Sequence, residues 1–214
     1  MTMIEKQNFN ALNLSTIPLD ERACIFEDKF ILACNFDEEN YLKDLANDPN
    51  MVPFLSAPYP FKIQFSMVQL CLNGRMRVRV NLDEYELHRN SLQIATPGSI
   101  GECLEISDDY RTVFIALPND YIITEENSEG ALIVRKFLAR QSLLELTDAQ
   151  TAEFLSICRA MRDKLRQPDF RFKHDILKGY LPVHYGNHCH LLVPLVEAKE
   201  ARTGSRQRRS FVTV

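Results

Sequence analysis

The sequence predicts a mainly β fold with an α-helical portion: a small double-stranded β-helix barrel followed by an antiparallel helix pair. Three observations predict it. Between Lys62 and Leu117 short runs of β-forming residues alternate with turns, the pattern of a small barrel or sandwich. Gly74 and Thr96-Pro97-Gly98 fall where such a barrel turns its corners. From Thr147 onward, apolar residues recur at helical spacing instead.

The elements follow in order. Residues 1–20 are read as an N-terminal arm, 21–125 as the β-barrel, 126–198 as a helical region and 199–214 as a basic, disordered tail. Phe30 to Cys34 is a short apolar run with strand character. Asp37 to Asn47 can form one or two helical turns before Pro49, and Pro53, Pro58 and Pro60 mark a loop. Phe61 to Leu72 is rich in β-formers, and Asn73-Gly74 is the strongest short hairpin signal in the chain. Arg75 to Val80 alternates strictly, with three arginines on one face and Met76, Val78 and Val80 on the other. The arginine face reads in two ways, as an anion site or as an exposed face that resists edge pairing.

Asn81 to Glu84 turns the chain, and Tyr85 to His88 is a short strand. Arg89-Asn90 turns it again, since asparagine tolerates the left-handed conformation. Ser91–Ala95, Gly101–Ile106 and Arg111–Leu117 complete the strands. Glu129 to Arg140 is compatible with a helix. Thr147-Asp148-Ala149-Gln150 is a capping box, and the helix it opens runs to about Gln167, before Pro168. Phe154, Cys158, Met161 and Leu165 form one apolar stripe on it. That stripe faces either a partner helix or the barrel. Phe170 to Tyr180 reads as a second, antiparallel helix, interrupted beyond by Pro182, Gly186 and Pro194.

Composition excludes several classes. Hydrophobic content is 45% and charged content 25%, ordinary for a soluble globular protein. Met1 to Asn10 is polar, so no signal peptide is expected, and no apolar run reaches bilayer length. The six cysteines (Cys24, Cys34, Cys71, Cys103, Cys158 and Cys189) show no C-x-x-C spacing and are expected to be reduced. A cytoplasmic location follows as the expectation. The net charge is −4, yet Lys199, Arg202, Arg206, Arg208 and Arg209 against Glu200 make the tail +4 and the remainder −8. An acidic body repels phosphate backbones. The tail could touch DNA or an acidic surface, or simply be a solvated end.

The order of elements resembles the N-terminal sensor and dimerisation half of AraC-type transcription regulators, in the cupin-like group common in Bacteroidetes. The resemblance is carried by Leu70-Cys71-Leu72-Asn73-Gly74, Arg77 to Asn81, Tyr85-Glu86-Leu87, Leu92 to Gly98 (LQIATPG) and Phe114 to Tyr121 (FIALPNDY), and covers about residues 15–180. It implies a cupin-like barrel, a homodimer formed through the helices, and a small-molecule effector. AraC-type regulators also carry a pair of helix-turn-helix motifs. None is expected in the polar stretch after Glu200, so direct DNA binding by this chain alone is not expected.

Metal-binding cupins carry two ligand motifs. Aligning the first on Gly74 puts Met67 in its Glu slot and Phe61 and Ile63, or Pro60 and Lys62, in its His slots. Aligning the second on Gly98 puts Asn90 and Thr96 in its Gly and Pro slots, Gly101 in its His slot and Glu105 in its Asn slot. A lone Glu105 cannot build a transition-metal site. Neither a metal nor another cofactor is therefore expected. Phe65, Met67, Gln69 and Cys103 share strand parity with the lost slots, and either line a ligand pocket or fill a packed core. His184 and His188, in HYGNHCH, would share a helix face at metal-ligand spacing, but Gly186 weakens the helix and no carboxylate accompanies them. No nucleophile elbow, reactive-cysteine motif or phosphate loop occurs.

These readings converge on a non-enzymatic ligand-sensing and dimerisation domain of an AraC-like regulator. The alternatives are a metal-free cupin enzyme, an isomerase or lyase using carboxylates, and a module that pairs with intact regulators and blunts them.

Overall fold

The computed structural model describes residues 10–14, 24–26, 30–34, 60–117 and 142–167. The expectations for Asp37–Asn47, Glu129–Arg140, Phe170–Tyr180, the HYGNHCH histidines and the basic tail lie outside the described residues.

The described residues form a mainly β structure with one helix. The strands are β1 (Asn10–Leu12), β2 (Cys24–Phe26), β3 (Phe30–Cys34), β4 (Phe61–Ile63), β5 (Ser66–Asn73), β6 (Met76–Val80), β7 (Asp83–Leu87), β8 (Ser91–Ala95), β9 (Ile100–Ile106), β10 (Arg111–Leu117) and β11 (Leu143–Glu145). The helix is α1 (Asp148–Leu165). One sheet has the order β1-β4-β9-β6-β7 and the other β11-β8-β5-β10-β3-β2. Only β1 and β4 pair in parallel; the other described pairs are antiparallel.

From β5 to β10 the chain passes back and forth between the sheets. β5, β8 and β10 lie in the six-stranded sheet, while β6, β7 and β9 lie in the five-stranded one. Within this stretch only β6 and β7 form a hairpin, across Asn81-Leu82. Asn81 holds φ 58° there, and Leu82 at the tip is 94% exposed.

The Asn73-Gly74 hairpin expectation is thereby corrected. Gly74 does hold the left-handed conformation that its signal implies, at φ 71°. However, β5 and β6 belong to different sheets, so the turn is a crossover. It interlocks with the turn before β10. Asn73 Nδ2 donates to Asp109 O at 3.0 Å, and the Arg75 N–H donates to Ser107 Oγ at 2.9 Å. Gly98, at φ 93°, is also a crossover residue, between β8 and β9.

Three apolar clusters hold the layers together. Val68, Leu70, Leu92, Ile94, Val113 and Ile115 cover the outer face of the six-stranded sheet and pack with Phe154, Cys158 and Met161 of α1. Burying β5 on both faces explains its near-continuous apolar sequence. The other two clusters lie between the sheets. One gathers Leu12, Ile63, Phe65, Ala95 and Ala116; the other gathers Cys71, Met76, Val78, Val80, Leu87 and Tyr110.

The capping box forms as expected. The Gln150 N–H donates to Thr147 Oγ1 at 3.2 Å, and the Thr147 N–H donates to Gln150 Oε1 at 2.8 Å. Both satisfy donors that the first helical turn leaves open.

Candidate functional site

The candidate site is a polar layer between the sheets. Inward positions of β5, β8 and β10 line up by register. Met67 lies beside Ala95 and Ala116, Gln69 beside Gln93 and Phe114, and Cys71 beside Thr112. The first row joins the Ile63–Phe65 cluster, and Cys71 in the third joins the Met76–Tyr110 cluster. The middle row separates them with two glutamines, exposed by only 7% and 2%.

Buried amides require partners. Gln69 Nε2 donates to Tyr110 Oη at 2.7 Å and contacts Met76 Sδ at 3.5 Å. Thr112 Oγ1 donates to Leu70 O at 2.8 Å. The titratable groups here are held neutral. Burial pushes the Tyr110 phenol above its usual range. Burial likewise pushes the Cys71 thiol up to about 12 and the Cys103 thiol up to about 11. The layer therefore presents uncharged hydrogen-bonding groups inside the β unit. Its described tyrosine and thiols are poor general bases near neutrality.

A pH dependence follows from these thiols. Their folded pKa values are raised, so the fold favours the protonated form. Well below pH 9.0 both folded and unfolded states are protonated and the thiols' contribution is fully present. As pH rises from 9.0 towards about 11, the unfolded chain loses these protons first and stability declines. Urea midpoints measured under reducing conditions at neutral pH and within that window should fall with pH. Equal midpoints would contradict the burial of Cys71 and Cys103.

The positions aligned with cupin ligand slots also meet, but as apolar contacts. Phe61 pairs in register with Gly101. A Cβ on Gly101 would lie 3.2 Å from Phe61 Cε2 and 3.5 Å from Ile63 Cδ1. Met67 and Phe61 pack on the same cluster as Ile63. Glu105 instead faces outward, 3.4 Å from Arg77 and 3.7 Å from Arg75. Among the described residues, no three His, Cys, Asp or Glu side chains gather as a metal group would require.

The four anticipated pocket residues share the inter-sheet space but divide between its two ends. Phe65 and Met67 join the Ile63 cluster. Gln69 reaches Tyr110, and Cys103 packs on the cluster containing Tyr110. Sequence reasoning missed Tyr110 and Gln93. Tyr110 follows Ser107-Asp108-Asp109, which reads as a solvent turn. Gln93 sits opposite Gln69 only once β5–β8 register is known.

The arginine face is solvent-facing, with Arg75 and Arg77 exposed and Arg79 half-buried. However, β6 lies between β9 and β7 and is not itself an edge strand. Its guanidinium groups face carboxylates of both neighbours. Arg77 pairs with Glu84 at 3.5 Å as well as with Glu105, while Arg79 pairs with Glu84 and Glu102. Arg79 in turn holds the Glu84 carboxyl below its usual range.

The helical stripe faces this chain's own sheet. Phe154, Cys158 and Met161 are each 0% exposed, and Leu165 packs partly buried against the same cluster. The opposite face presents Ala152, Ser156, Arg159 and Asp163 as exposed residues. No described helix is long and apolar enough to cross a membrane.

No protein-family model matches the chain. No curated protein matches it in sequence either. Among solved structures, the AraC-like transcriptional activator CuxR matches with 12% identity and a TM-score of 0.40, covering 63% of this chain and 43% of that one. ToxT from Vibrio cholerae matches with 12% identity and a TM-score of 0.33, covering 60% and 50%. An unsaturated fatty acid-bound wild-type ToxT from Vibrio cholerae strain SCE256 matches with 14% identity and a TM-score of 0.33, covering 56% and 46%. The chain spans half or less of the length of the structures it matches.

Proposed function

We propose that this chain is a ligand-sensing and dimerisation domain of an AraC-like transcription regulator. In this reading its two sheets are the walls of a cupin-like double-stranded β-helix barrel, and its helical region pairs two copies. The observation that carries the reading is a neutral polar layer inside the β unit, Gln69–Tyr110 beside Gln93, with a capped helix seated outside it. The strand crossings at Gly74, Asn90 and Gly98 support the barrel, and the barrel-then-helix order agrees with the sequence resemblance.

Sensing requires an effector that binds two arrangements unequally. The inter-sheet layer would take a small molecule with a largely apolar body and an uncharged hydrogen-bonding group. Pairing would use the exposed face of α1, because the stripe is already buried.

Light scattering at micromolar concentration tests the pairing directly. The expected mass is twice the 24.7 kDa of one chain. A monomer would count decisively against dimerisation. Thermal denaturation across a panel of small neutral amphiphiles tests the sensing role. A raised midpoint that disappears in Gln69→Leu supports it, and no shift across the panel opposes it.

A further inference from the structure

One residue ties the inter-sheet layer to the helix. Asn90 holds φ 72° in the turn from β7 to β8, where the chain changes sheets. Its N–H donates to Cys71 O at 2.9 Å, on the central strand β5. Its other three described bonds reach the start of α1. Its carbonyl accepts from the Leu146 N–H at 3.0 Å. Its Nδ2 donates to Asp148 Oδ1 at 2.9 Å, and its Oδ1 accepts from Thr151 Oγ1 at 2.9 Å. Asparagine suits this place because it accepts the left-handed turn and offers both a donor and an acceptor.

Arg89 Nη2 adds a longer contact to Asp148 Oδ1, at 3.4 Å. Phe154, Cys158 and Met161 also pack in the apolar cluster on the sheet, and apolar packing is non-directional. The Asn90 bonds are directional and fix where the helix begins. Their other end lies close to the polar layer. Cys71 is two residues from Gln69 on the same inward face, pairs with Thr112 and shares a cluster with Tyr110. A second strut runs alongside, from Ser91 Oγ to Glu145 at 3.0 Å.

We propose that Asn90 is a positioning residue that couples the inter-sheet layer to the orientation of α1. A change at Gln69 or Tyr110 displaces β5 at Cys71, and Asn90 passes that displacement to the first turns of the helix. The proposal rests on the sensing reading for its purpose, while its mechanical content stands on the bonds alone. Such coupling requires a measured interaction between sites rather than proximity.

Backbone amide exchange of the full chain, followed by mass spectrometry over peptides spanning 147–157, supplies that measurement. Asn90→Gly keeps the left-handed turn and deletes both side-chain bonds. It should speed exchange in 147–157 by about five- to tenfold, the scale of losing a hydrogen bond or two. Exchange in β5 and β10 should stay as it was. Tyr110→Phe should also speed exchange in 147–157, and that increase should vanish when Asn90→Gly is already present. Unchanged helix exchange in Asn90→Gly, or an equal Tyr110→Phe effect in both backgrounds, would overturn the coupling. Should Asn90→Gly fail to fold, Thr151→Val removes one of the two bonds without touching the turn, and its cycle with Tyr110→Phe decides in the same way. A monomeric chain that binds no amphiphile would end the sensing reading and leave these exchange ratios intact.

Discussion

Gly74→Ala should destabilise the protein by about 3 kcal/mol or more, combining a left-handed backbone penalty with a packing clash. The conformation alone, φ 71°, disfavours any residue with a Cβ. Space makes it worse. The added carbon would sit 2.6 Å from Ser107 Oγ and 2.7 Å from both Tyr110 Cα and Tyr110 N. Two of those three atoms are backbone and cannot swing aside. Ser107 is also committed, because its hydroxyl accepts from the Arg75 N–H and donates to Asp109. The disturbance would reach Tyr110, and through it Gln69. Gly98→Ala is the internal control. It carries φ 93° but has nothing within 4 Å of its added Cβ. Its cost should stay near the backbone penalty alone, about 1–2 kcal/mol. Urea denaturation of both variants checks the difference. Equal losses would mean that the crossover at Gly74 is not packed against the turn before β10.

That contrast shows what the sequence could and could not convey. Runs of β-forming residues bounded by turn residues marked the strands well: Ser91–Ala95 and Arg111–Leu117 fall where their residues predict. The capping box at Thr147 was legible because its partners are three residues apart, so local chemistry determines it. Asn73-Gly74 was half legible. The residue types specify a positive φ, which is local, but not which sheet the next strand joins, which is decided by distant burial. Arg75 to Val80 was legible in its two faces, one exposed and one buried, yet the carboxylates opposite the arginines come from β7 and β9, and only the sheet order brings them there. The candidate site suffered most. Gln69 was visible by parity, but Gln93 required register, and Tyr110 stands in a turn that looks wet and is 2% exposed. Asn90 was visible as a left-handed turn residue. Its grip on α1 links positions 58 and 61 residues apart and leaves no local trace.

Met161→Glu should abolish the folded state of the helix and sheet together, not merely separate two copies. Met161 is 0% exposed and packs with Phe154, Cys158 and the outer face of the six-stranded sheet. Truncating such a side chain costs about 2–5 kcal/mol, and placing a carboxylate there adds the penalty of an unpaired buried charge. Their sum rivals the whole stability of a typical domain, about 5–15 kcal/mol. A circular dichroism melt should therefore lose its cooperative transition. The exposed face gives the opposite expectation. Ser156→Arg changes a residue pointing away from the sheet and should shift stability by about 0.5 kcal/mol or less. If two copies pair through that face, the same substitution should lower the mass seen by light scattering while leaving the melt in place. The two variants separate what one stripe conflates. Helical periodicity marks a buried face but does not say what buries it, and here the sheet already does. A Met161→Glu protein that melts normally as a monomer would reverse the assignment and return the stripe to a partner.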